Sequence, residues 1–118
     1  MKPDKNNHCS DINENSQSSL LDKDKNIGGE RTIEIKVSGK VQGVGFRNCV
    51  RNIAQKLSIK GEVMNLPDGS VKILASGEHV LLDKFLAMLY CCPRAIIRDV
   101  ATKEVEFIVF DLFSIRRL

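Results

Sequence analysis

The sequence predicts an α+β sandwich in which two helices pack on one face of an antiparallel sheet of four to five strands, in the order β-α-β-β-α-β. Three observations carry that prediction. Residues 32–38 alternate strictly between apolar and polar; two stretches, from Phe46 and from Glu78, repeat apolar residues at helical spacing; and Leu66-Pro67-Asp68-Gly69 joins two short apolar runs with turn chemistry.

Taken in order, Thr-Ile-Glu-Ile-Lys-Val-Ser at 32–38 puts Ile33, Ile35 and Val37 on one side of a half-buried strand. After a glycine-rich loop, Phe46, Val50, Ile53, Ala54 and Leu57 share one helical face, with Arg51, Gln55 and Lys56 largely opposite, and this helix ends near Ser58. Residues 60–66 and 70–76 form a hairpin, because Pro67 presets one dihedral and Gly69 permits positive φ. A second helix places Leu82, Phe85, Leu86 and Leu89 together and stops at Pro93. A fourth strand falls within residues 96–108, where Val105 and Phe107 alternate most clearly, and Leu112 to Leu118 supplies a short terminal strand. This succession is the split βαβ, or ferredoxin-like, arrangement. No internal repeat of solenoid period is present.

With 118 residues the chain has room for one core, which commonly needs about 100 residues, and a tail. Residues 1–29 are rich in Asn, Asp, Lys and Ser and hold no aromatic residue, so they cannot offset their own ordering entropy. They are expected to form a disordered extension, and residues 30–118 the folded domain. The net charge of +3 divides between them: four lysines against five carboxylates leave −1 on the tail and +4 on the remaining 89 residues. A mildly cationic domain suits a small anionic ligand, whereas the dense basic stripe of a nucleic-acid binder is missing.

No apolar run approaches the roughly 20 residues needed to cross a bilayer, and no secretory leader is recognisable at the start. The expected place of work is therefore cytoplasmic. The cysteines at 9, 49, 91 and 92 show neither paired C-x-x-C spacing nor a nearby His, which argues against zinc, and reduced thiols are expected. Cys49 falls on the apolar side of the first helix and reads as a small buried hydrophobe.

The segment that carries chemistry is Gly39-Lys40-Val41-Gln42-Gly43-Val44-Gly45-Phe46-Arg47, between a strand and a helix start. Its glycines let successive amides turn toward one point, at a helix N-terminus whose unpaired N–H groups and dipole favour an anion. Asn48 stands where G-x-G-x-x-G would require its third glycine, and no Gly-Lys-Ser/Thr follows, so dinucleotide and nucleotide P-loop readings fall away. Arg47 lies in the first helical turn, where a cation opposes the dipole by a few tenths to about 1 kcal/mol unless an anion compensates it. A phosphate would, because guanidinium grips two of its oxygens at once. Lys40 reads as a solvated lysine, and Gln42 carries no direct role in this reading. Asn65 sits in a strand that Asn disfavours, just before the hairpin turn, where its amide could hold a water near the phosphorus. His8 and His79 are not persuasive as catalysts or ligands.

At these residues the chain resembles the acylphosphatase family, whose G-x-V-Q-G-V-x-F-R and G-x-V-x-N-x-x-D-G-x-V patterns stand here at Gly39 to Arg47 and Gly61 to Val71. The resemblance extends over about residues 31–118, closing on Phe113-Ser114-Ile115-Arg116. It implies hydrolysis of small acyl phosphates to carboxylate and inorganic phosphate without metal or cofactor. Phosphate binding then falls to Gly43, Val44, Gly45, Phe46 and Arg47, and water orientation to Asn65. Asn48 and Glu62 depart from the family's usual aromatic and Trp, changes expected to affect stability and rate more than the reaction. A monomer with no nucleic-acid or membrane partner is expected. Two other readings are an anion-binding accessory domain without turnover, as at the start of larger carbamoyl-transferring maturation proteins, and an RNA-binding module. The former would need a following domain, and the latter would need stacking aromatics where Ile33, Ile35, Val37, Val71 and Ile73 stand.

Overall fold

Ile35 and Val37, two of the alternating apolar residues, are fully buried, and the strand they define is an interior strand of a mixed five-stranded sheet. The computed structural model describes residues 29–117, so the expected extension over 1–29 lies almost wholly outside the described residues. The elements in order are β1 (Glu30–Lys40), α1 (Phe46–Lys56), β2 (Lys60–Asn65), β3 (Val71–Glu78), α2 (His79–Leu89), β4 (Ile96–Val105) and β5 (Phe113–Arg116). The strands stand in the order β4-β1-β3-β2-β5. Every predicted element is present, with ends shifted by a few residues.

Three of the pairings are antiparallel, including Ile35 against Ile73 and Val63 against Ile73. The fourth, β2 with β5, is parallel, setting Gly61 beside Phe113 and Glu62 beside Ser114. Parallel strands need a long connection, here everything between residues 65 and 113. Glu62, in place of an expected Trp, faces Arg116 of β5, with Nη1 3.4 Å from both carboxylate oxygens.

The two helices cover one side of the sheet. Phe46, Val50, Ile53, Ala54 and Leu57 enter the core as their spacing predicted, and Leu82, Phe85 and Leu89 meet them from α2. The Phe85 and Phe113 rings meet edge to face with centroids 6.1 Å apart, a geometry aromatic quadrupoles favour. On the opposite side, buried Thr32 and Ser76 secure the connector before β5. Ser76 Oγ donates to the Ile108 carbonyl at 2.8 Å, and the Ile108 amide donates to Thr32 Oγ1 at 2.8 Å. The Ser76 proton is thus committed, so the 2.6 Å contact between the two hydroxyls has Thr32 as donor.

The cysteines depart from expectation. Cys49 in α1 and Cys92 just beyond α2 form a disulfide, Cα to Cα 5.9 Å, and among the described residues no cysteine is free. Cys49 is only partly buried, so it is neither a reduced thiol nor a lone hydrophobe but a tie between the two helices. No described helix is long and apolar enough to cross a membrane.

Candidate active site

Between β1 and α1 the chain makes a tight loop whose Gly43 and Gly45 have φ of 75° and 76°. This left-handed region costs a residue with a Cβ roughly 1–2 kcal/mol, so the loop shape requires glycine at both places. Gly45 is the N-cap of α1 and offers no side chain to the free amides behind it. The first intrahelical bond runs from the Cys49 amide to the Gly45 carbonyl at 3.1 Å. Among the described residues no acceptor takes the N–H of Gly43, Val44, Gly45, Phe46 or Arg47. Five successive donors stand open at the positive end of a helix dipole, with no acidic residue in the first turn to compensate them.

Arg47 is half-buried, and neither a hydrogen bond nor an ion pair holds its guanidinium among the described residues. It lines a cavity of about 100 Å³ with Gly43, Gly45, Phe46, Asn48 and Arg117. A cavity lined by two arginines and a glycine loop, with no carboxylate among the described residues, can hold a small oxyanion such as phosphate. Val44 does not line this cavity and faces a neighbouring groove instead. Gly39, the first glycine of the predicted loop, belongs to β1. It sits where the pairing with β4 shifts register, and a Cβ there would collide with the Ile96 carbonyl, so its task is strand packing.

Asn65 ends β2 at the level of Val71, which in turn pairs with Val37 of β1. Asn65 thus stands two strands from β1, about 10 Å at the usual strand spacing, with β3 between. It is not among the residues lining the small cavity. Its Oδ1 is buried with no hydrogen-bond partner. An acceptor shut off from bulk water and left unpaired costs about 1–3 kcal/mol, a debt that a bound donor would relieve.

Gln42, to which sequence reasoning gave no role, fastens the loop to the hairpin. Its Nε2 donates to the Leu66 and Ser70 carbonyls, both at 2.9 Å, so the residue before Gly43 is bonded to the residue after Asn65. Spacing along the chain gives no sign of this bond, since it links residues 24 and 28 positions apart. Gln42→Ala is expected to lose about 1–3 kcal/mol of stability, the sum of two such bonds, and to slow turnover as loop and hairpin drift apart. A variant matching the parent in both thermal melting and kcat would count against the clamp.

The hairpin turn has its own buttress. The Asp68 carboxylate accepts from the Ser70 hydroxyl and amide, at 2.5 and 2.9 Å, and meets Lys36 Nζ at 3.1 Å. The Ser70 hydrogen bonds first, and then Lys36, hold its carboxyl well below the usual carboxylate range. Because the folded value is depressed, this contribution is complete above the ordinary carboxylate range and fades only as pH falls beneath it. His79 stands 3.5 Å from Asp83 one helical turn on, away from the loop. Lys40 lines a separate surface depression with Arg98 and Gly69. Asn48, a departure from the family pattern, accepts from Arg51 at 3.1 Å. His8 lies outside the described residues.

The chain is similar to known proteins of one family. The family model for acylphosphatases matches residues 33–115. An acylphosphatase of Archaeoglobus fulgidus is 49% identical over 84 residues, covering 70% of this chain and 94% of that protein. Among solved structures, an acylphosphatase from Coxiella burnetii superposes with a TM-score of 0.72 at 36% identity, over 75% of this chain and 95% of that one. A full-length HypF, solved in a phosphate- and nucleotide-bound form, matches with a TM-score of 0.66 at 32% identity, over 74% of this chain but 12% of its own.

Proposed function

Since the chain belongs to the acylphosphatase family, an enzyme family acting on small acyl phosphates, we propose that the residues at the mouth of α1 carry out that hydrolysis here. Arg47 and the amides of Gly43, Val44, Gly45, Phe46 and Arg47 hold the phosphoryl group, and Asn65 orients the attacking water. The observation that carries this reading is the set of unmet polar groups: five open amides and an unpaired guanidinium on one side, and the unpaired Asn65 Oδ1 on the other. The first set suits an oxyanion, and the second suits the hydrogen of a water.

The chemistry asks for little more. A carboxylate leaves readily because its conjugate acid has a pKa of about 4, so no strong general acid is needed. Phosphoryl transfer through a loose transition state requires positioning and charge compensation on the equatorial oxygens, which a guanidinium and fixed amides supply. The water proton can pass to a phosphoryl oxygen of the substrate. In this reading the reaction uses no metal or cofactor. In the same reading residues 30–118 form the working domain, which acts as a cytoplasmic monomer.

Turnover of benzoyl phosphate with inorganic phosphate as competitor tests the assignment. Asn65→Ala is expected to lower kcat about a hundredfold to a thousandfold, the usual effect of removing one positioned polar partner, while phosphate inhibition stays as in the parent. Equal loss of phosphate inhibition would contradict the water-orienting role. A second reading has one observation behind it: the likeness to a segment of HypF fits an accessory domain that binds anions without turnover. Phosphate binding with no benzoyl phosphate hydrolysis by the parent chain would favour it.

A further inference from the structure

Beside the small cavity runs a larger groove of about 520 Å³ between α1 and the segment that follows α2. The two share Gly45 and Asn48. From this rim the groove follows one side of α1 through Asn52, Ile53 and Lys56, residues three and four apart, and so extends about 12 Å at 1.5 Å per residue. Val44 and Pro93 contribute apolar surface, and the Cys49–Cys92 disulfide forms part of its wall. Lys56 and Arg94 are its cations; among the described residues neither is engaged in an ion pair and no carboxylate lines the groove.

We propose that this groove is the acyl subsite, and that it selects extended acyl chains ending in a carboxylate. The inference rests on the phosphate reading of the loop and names the other half of the substrate. With the phosphoryl group among the open amides, the carboxyl–phosphate anhydride lies at the shared rim of Gly45 and Asn48, and the organic chain continues along α1. Its methylene groups cover the Val44 and Pro93 surface, a gain proportional to the apolar area removed from water. A distal carboxylate meets Lys56 and Arg94, which no carboxylate among the described residues neutralises. A terminal methyl forgoes that attraction, and a terminal ammonium would be repelled. This assigns substrate preference to residues outside the loop that binds phosphate.

Three substrates test the proposal: acetyl phosphate, octanoyl phosphate and the mono-acyl phosphate of octanedioic acid. The parent should show a higher kcat/KM for octanoyl than for acetyl phosphate. The terminal carboxylate should add a further threefold to tenfold, the scale of two exposed ion pairs, mainly through KM. The double variant Lys56→Gln, Arg94→Gln should abolish that added preference and leave acetyl and octanoyl phosphate as in the parent. Equal rates for the two eight-carbon substrates in the parent, or a uniform loss for all three in the variant, would overturn the proposal. If acetyl phosphate itself were not hydrolysed, the phosphate reading would fail. Groove occupancy is then read separately, from chemical-shift changes at the Asn52 and Arg94 amides on adding octanedioate. Shifts in the parent that vanish in the double variant support the subsite, and none in the parent refutes it.

Discussion

Arg47→Ala is expected to abolish measurable turnover of a small acyl phosphate while leaving the protein as stable as before, or slightly more so. The loss should exceed the ~2.7–4 kcal/mol typical of removing one neutral donor, hence more than about a thousandfold in rate, because a charged fork spanning two phosphoryl oxygens disappears. The expectation for stability runs the other way. Among the described residues Arg47 has no partner to lose, and a cation in the first turn of α1 opposes the helix dipole by a few tenths to about 1 kcal/mol. Removing it should therefore leave melting unchanged or raise it. Arg47→Lys keeps the charge but not the planar fork, and it should recover only a small part of the rate. Turnover and thermal melting of the two variants decide the matter: near-normal activity in Arg47→Ala would reject the assigned role, and a large drop in stability would show that the side chain serves the fold.

Reducing the Cys49–Cys92 bond, or replacing both residues by Ala, should have the largest effect on stability. The bridge closes a stretch of chain with a sequence separation of 43, and the loop-closure relation for such a stretch gives about 4 kcal/mol, toward the upper end of the usual 2–4. For a domain of this size that corresponds to a fall in melting temperature of roughly 16 to 32 °C. Acetyl phosphate turnover at 25 °C should survive, since neither cysteine lines the small cavity. Calorimetry with and without dithiothreitol measures the difference, and an unmoved transition would show that the helices hold together without the bond.

What the sequence made legible here follows from how far its regularities reach. The alternation of Ile33, Ile35 and Val37 and the helical spacing of Phe46, Val50 and Ile53 are local, and the strands and helices they imply are where they were expected. The loop was legible for the same reason: Gly43 and Gly45 do adopt the positive φ that their identity permits. Contacts made by the fold across the chain left no such trace. The Cys49–Cys92 bond, the Gln42 clamp and the Thr32–Ser76 hydroxyl pair join residues 43, 24 to 28 and 44 apart, and nothing periodic marks them. Gly39 was misassigned because its requirement comes from the close approach of β4 rather than from the turn. Asn65 could be singled out as an odd residue for a strand, but its buried, unpaired oxygen emerges only once neighbouring elements enclose it.

The place of β4 at the outside of the sheet bears on how two molecules meet. Ten residues, Ile96 to Val105, turn one row of backbone donors and acceptors away from β1, and such a row is a template on which another chain can extend a sheet. Arg98, Asp99, Lys103 and Glu104 stand exposed along it. Any copy docking edge to edge would have to strip water from these charges before gaining a single ladder bond. Their presence guards the border against fibril-like stacking at the concentrations where a small, β-rich protein would otherwise be at risk.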